Sequence, residues 1–158
     1  MNSPWYDDWP TVVAGFGSPH GDDQAGWRLT AILQQSSHVP ARVIAIVEPT
    51  QLIEALANCQ RLIIVDACRR GRKPGAITRL RWPDPRIIAC HGHSTHGMGV
   101  SDTLRLADRL GRLPPLVEIY GIEIDDCSPA ADVSPVVSWA VANLAARILE
   151  ELREVAHA

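Results

Sequence analysis

The sequence predicts an α/β fold, a three-layer α/β/α sandwich around a mostly parallel sheet. Two runs, Thr11–Gly17 (TVVAGFG) and Arg61–Ala67 (RLIIVDA), are nearly continuous in apolar residues, the pattern of strands buried on both faces. Short apolar runs alternate with stretches of helical spacing along the rest of the chain, and that alternation builds such sandwiches. A length of 158 residues fits one domain, residues 1–158, with its core at about 11–155.

Each element has a local reason. Thr11–Gly17 ends in glycines, as a buried strand entering a tight loop does. Asp22 and Asp23 precede a helix over Ala25–Gln35, where Trp27, Leu29, Ala31 and Ile32 suit an amphipathic face and the acids suit the helix dipole. Arg42–Val47 is a second strand, Gln51–Cys59 a helix, and Arg61–Ala67 a third strand. After the basic turn Arg69–Gly75, Ala76–Trp82 alternates as a further strand, and Ile87–Cys90 is a brief apolar run. Val100–Leu110 is helical, stopped by Gly111 and then Pro114; Leu116–Ile122 is a strand. Asp132–Val155 is a long helix with Val136, Val137, Ala140, Leu144, Ile148 and Leu152 at helical spacing.

Composition narrows the function classes. Hydrophobic residues at 46% and charged residues at 21% exclude a disordered chain. A net charge of −3 gives no electrostatic footprint for nucleic acid. The four cysteines, Cys59, Cys68, Cys90 and Cys127, show no C-x-x-C spacing and read as free thiols. Met1–Pro10 lacks the basic start and apolar run of a signal peptide, and no apolar stretch is long enough to span a membrane. The expectation is a cytoplasmic protein.

In open α/β sheets the functional crevice lies beyond the carboxyl ends of the strands. Three segments fall there: Gly17–Asp23, Asp66–Cys68 and the loop His91–Gly99. Asp22 alone reads as a helix cap. A cap accounts for one aspartate, and Asp23, one position on, can point back toward the strand ends. Asp66 follows Leu62, Ile63, Ile64 and Val65, where an acid is costly unless solvated, hydrogen-bonded or paired. His91, His93 and His96 share one loop with several glycines. Carboxylates together with imidazoles suit a borderline divalent metal with open positions.

Gly15-x-Gly17, Asp22-Asp23-x-x-Gly26, Ile64-Val-Asp66-Ala67 and Ser94-Thr-His96-Gly-Met-Gly99 occur in this order. Together with Pro74-Gly75-Ala76-Ile77 and Tyr120-Gly121-Ile122-Glu123, the series resembles the hydrogenase maturation proteases, over about residues 11–150. Ser18 stands where that family usually has Asn, and Glu48-Pro-Thr-Gln51 where many relatives carry Gly-Gly-Thr. The resemblance implies an α/β/α sandwich and an endopeptidase that removes the C-terminal extension of a nickel–iron hydrogenase large-subunit precursor. It also implies nickel supplied by that precursor, and matches the family's metal-contacting residues to Asp23, Asp66 and His96. His91 and His93 are then adjuncts. The same ligands would serve a non-enzymatic nickel checkpoint or chaperone protein that binds the precursor without cutting it.

Other readings fit less of the chain. A dinucleotide site would use Gly15-x-Gly17 and Glu48, but His20 replaces the third glycine and two aspartates would oppose the pyrophosphate. Gly92-His-Ser94-Thr-His96 imitates a serine nucleophile motif without its final glycine, and Cys68 has only its closeness to Asp66. Arg69, Arg70, Arg72 and Lys73, four cations in five positions, read either as a solvated turn or as a dock for an acidic surface on the precursor.

Overall fold

Strand β1 (Thr11–Phe16) is buried along its whole length, and its alternate residues feed two different cores. Val12, Ala14 and Phe16 face one side, Val13 the other. The same alternation runs through β3 (Arg61–Cys68), with Leu62 and Ile64 on the first side and Ile63 and Val65 on the second. That is the period-2 signature of a central strand covered on both faces. The structure is a computed structural model and describes residues 9–88, 98–129 and 131–158.

The five-stranded sheet has the order β2-β1-β3-β5-β4. Strands β2 (Arg42–Ile46), β1, β3 and β5 (Leu116–Glu123) run parallel, and β4 (Ile77–Arg81) pairs antiparallel with β5 at the edge. Helices α1 (Ala25–Gln35) and α5 (Pro135–Ala156) cover one face through Leu29, Leu33, Val137, Val141, Leu144 and Ile148. Helices α2 (Pro49–Ala55) and α4 (Val100–Arg109) cover the other through Leu52 and Leu104. The expected α/β/α sandwich with a mostly parallel sheet is the observed fold. A four-residue helical turn, α3 (Pro85–Ile88), occupies the start of the run expected at Ile87–Cys90.

Boundaries differ from the sequence expectation where long-range bonds decide them. Strands β3 and β5 continue to Cys68 and Glu123 because those residues pair with each other in the ladder. Helix α2 begins at Pro49 rather than Gln51, with Gln51 Oε1 accepting from the backbone N–H of Glu48 at 2.9 Å and of Val47 at 2.8 Å. Proline in the first helical turn loses no hydrogen bond. Glu48 thus sits at a helix start.

Away from the strands' carboxyl ends, Arg61 ties β3 to β5 and α5, donating to Glu118 at 2.7 Å and to Glu151 at 3.1 Å. Arg79 of β4 also pairs with the buried Glu118 and lies 5.3 Å over the Tyr120 ring. This network joins three strands and a helix.

Candidate functional site

Strand order reverses at β1: the chain leaves it for β2 on one side and returns to β3 on the other. The crevice of such a sheet opens at that switch point, between the carboxyl ends of β1 and β3. Gly15 is in register with Val65, so Asp66 lies one step further, at the level of Phe16. Asp66 also pairs with Gly121 of β5.

The loop after β1 brings Asp23 back over this position. A tight helical turn, Gly21–Gln24, runs directly into α1. The Asp23 carbonyl accepts from Ser18 N–H at 3.2 Å, and Asp23 N–H donates to His20 O at 3.0 Å. Close backbone approach is what the glycines permit. A Cβ on Gly26 would lie 2.1 Å from Phe16 O and 2.6 Å from Val65 O, so the first turn of α1 rests on the main chain of β1 and β3.

Asp23 and Asp66 are both half-buried, and each carboxyl is within electrostatic reach of the other. Burial first, and then the Asp23 charge, push the Asp66 carboxyl up to about 7, against a lowering bond from the Ala67 amide. Like charges held together in a desolvated cleft resist double ionisation. The structure therefore brings together two of the three expected site residues. His96, with His91 and His93, lies outside the described residues, as do Ser94 and Cys90. Among the described residues, no three His, Cys, Asp or Glu side chains are gathered closely enough to hold a metal ion.

Asp22 departs from the helix-cap expectation. Helix α1 has no side-chain cap; its preceding residue, Gln24, is already helical. The Asp22 side chain is instead fully buried and turned toward the segment between β5 and α5. It accepts from the backbone N–H of Asp125 at 3.0 Å, Asp126 at 3.1 Å and Ser134 at 2.6 Å, and from the Ser134 hydroxyl at 2.9 Å. Burial pushes its carboxyl up, but the Ser134, Asp126 and Asp125 amides and the Ser134 hydroxyl outweigh that and hold it below the usual range. Asp22 N–H donates to Asp126 O, Gly21 N–H to Ala131 O, and Arg28 pairs with Asp132. The turn carrying Asp23 is thereby strapped to the start of α5.

Glu123 is the acid that sequence reasoning left without a role. It is buried, ends β5, and accepts from the backbone N–H of Arg70 at 2.8 and 3.0 Å and of Arg72 at 3.2 Å. An acid ending an apolar strand, the signal that marked Asp66, was equally present at Glu123. Beside it, the Cys68 thiol is pushed up to about 12 by burial and by Glu123, whose Oε2 lies 3.5 Å from Sγ. A thiol held in that direction is a poor source of thiolate near neutral pH, which speaks against Cys68 as a nucleophile.

Fold and site define an α/β sandwich with a coupled acid pair at its switch point. The hydrogenase maturation protease family model of the HycI type matches residues 32–151, a span that holds Asp66 and begins beyond Asp23. The hydrogenase expression/formation protein HupD of Bradyrhizobium diazoefficiens is 29% identical over 117 residues, 71% of this chain. That alignment spans 61% of the relative's own length. The hydrogenase maturating endopeptidase HybD from E. coli shares the fold, with a TM-score of 0.76 at 24% identity over 92% of this chain and 93% of its own. The endopeptidase HycI from Escherichia coli superposes with a TM-score of 0.72 at 27% identity over 89% of each chain. This chain belongs to the hydrogenase maturation protease family.

Proposed function

We propose that this chain is a cytoplasmic endopeptidase that removes the C-terminal extension of a nickel-loaded nickel–iron hydrogenase large-subunit precursor. The observation that carries this reading is the Asp23–Asp66 pair at the β1/β3 switch point of a chain from this family. In this reading the metal belongs to the substrate: Asp23, Asp66 and His96 contact nickel already seated in the precursor and so bring the scissile peptide to the crevice.

The electrostatics of the pair suit a site that waits for a cation. Asp66 holds its proton up to about pH 7 chiefly because its carboxyl is buried, and then because ionisation would set a second charge beside Asp23. A divalent cation compensates both charges and displaces the proton. Recognition of the loaded precursor then has an electrostatic basis, since the empty precursor supplies no charge to offset the pair. Hydrolysis needs a polarised carbonyl or a water relieved of a proton; the precursor's nickel would supply the first and a carboxylate of the pair the second.

Incubation with nickel-loaded and nickel-free precursor tests the reading, with product mass as the readout. Shortening of the loaded form alone is expected. Binding without shortening would replace the peptidase by a nickel checkpoint protein.

A further inference from the structure

Helix α5 buries Val137, Ala140, Val141 and Leu144, yet Val136 and Trp139 on its first turns are 44% and 72% exposed. Residues three apart share a helix face. Trp139 is the most exposed large hydrophobic side chain among the described residues. This face abuts the basic turn: a Cβ placed on Gly75 would lie 3.0 Å from Val136 Cγ2.

In that turn Arg72 and Lys73 are exposed, and neither has an ion pair among the described residues. The Arg72 guanidinium donates to Ile77 O at 3.0 Å and to Thr78 Oγ1 at 2.9 Å. Both acceptors are neutral and fix its direction. Its backbone is fixed too, because the buried Glu123 takes the amides of Arg70 and Arg72. Arg69 and Arg70 differ, since Asp126 lies within reach of the Arg69 charge and Asp84 within reach of the Arg70 charge. The outward cationic character therefore rests on Arg72 and Lys73.

Topology sets this patch beside the crevice. The chain passes from β3 to the edge strand β4 across the carboxyl end of β5, so the turn begins three residues beyond Asp66. Ser134, two residues before Val136, is bonded to Asp22. Val136 thus stands against the end of the basic turn, with Trp139 three residues further along the same helix, and both elements leave the end of the sheet that carries the acid pair.

We propose that Trp139, Val136, Arg72 and Lys73 form a docking surface for an acidic segment of the polypeptide substrate. Tryptophan and arginine are the residue types of interface anchors, and exposed cations select an acidic partner and speed its encounter. The inference rests on the proposed precursor substrate and names the part of this chain that would grip it away from the scissile bond.

The test compares wild-type protein with W139A and the double variant R72E/K73E, measuring both precursor affinity and processing. All altered side chains are exposed, so melting temperatures near wild type confirm folding. Each variant should raise Kd and KM roughly tenfold or more with kcat within about twofold. Wild-type affinity should fall between about 50 and 300 mM salt, and R72E/K73E should lose that dependence. Unchanged Kd and KM in both variants, with the wild type still cutting, overturn the docking surface and leave the peptidase reading standing. A W139A effect with salt-independent wild-type affinity overturns the acidic partner. Wild-type binding without cutting, lost in both variants, sinks the peptidase reading and supports the dock. Neither binding nor cutting by the wild type overturns both.

Discussion

The Asp23 charge acts on the Asp66 carboxyl across the gap between the ends of β1 and β3, and burial with that charge raises Asp66 to about 7. Two acids from sequence segments more than forty residues apart are held close in one cleft although their proximity is unfavourable. The fold maintains it by seating Gly26 on the main chain of both strands and by strapping Asp22 to the start of α5. Unfavourable proximity that a cation would relieve is the physical core of the proposed function.

Stability should report this directly. An unfolded aspartate ionises near 3.9, whereas Asp66 in the folded chain ionises at about 7. Between those values the folded state binds the extra proton, so the Asp66 contribution to stability falls as pH rises and its penalty is complete above 7. Asp66→Asn should raise the melting temperature at pH 8 by roughly 3–6 °C while abolishing processing. Thermal unfolding of both proteins from pH 4 to 8 is the check; curves that stay parallel contradict the coupled pair.

Asp22 has the opposite sign. Its carboxyl is held below the usual range, so its contribution is present above an unfolded aspartate's value and is lost as pH falls through the folded one. Asp22→Ala leaves the Asp125, Asp126 and Ser134 donors facing a void and should cost about 2–4 kcal/mol. Ser134→Ala removes only the hydroxyl donor and should cost about 1 kcal/mol. Urea denaturation at pH 7 measures both, and equal costs would contradict the strap.

Two glycines separate packing from backbone strain. Gly26→Ala forces a methyl against Phe16 O and Val65 O and should destabilise by about 3 kcal/mol or more. Gly71 has a φ of +76° with nothing within 4 Å of where a Cβ would stand, so Gly71→Ala should cost only about 1 kcal/mol. Comparable losses in denaturant midpoint would show that α1 does not rest on the strands as described.

The thiol beside the acids should be dispensable. Burial and the Glu123 carboxylate push the Cys68 thiol up to about 12, which disfavours thiolate there at neutral pH. Cys68→Ala should process precursor at more than roughly half the wild-type rate. A loss beyond about a hundredfold in a folded variant would restore a cysteine mechanism.

What the sequence disclosed follows from the range of the interactions involved. Asp66 was legible because an acid closing a run of aliphatic residues is a local anomaly, and Asp23 because two acids before a helix exceed what one cap needs. The strap was not legible: the partners of Asp22 lie 103 to 112 residues along the chain. A cap was the nearest local explanation, and the fold gave that carboxylate a distant partner instead. Trp139 does not stand out within the long helix, because helical spacing identifies the inward stripe more readily than an outward residue lacking cover.

The role of the acid pair is measured most directly by processing of the nickel-loaded precursor by wild type, Asp23→Asn and Asp66→Asn, beside the nickel-free precursor. Shortening of the loaded precursor by wild type alone is expected, with both folded variants inactive. Full cleavage by either variant, or equal cleavage of the nickel-free form, would contradict it.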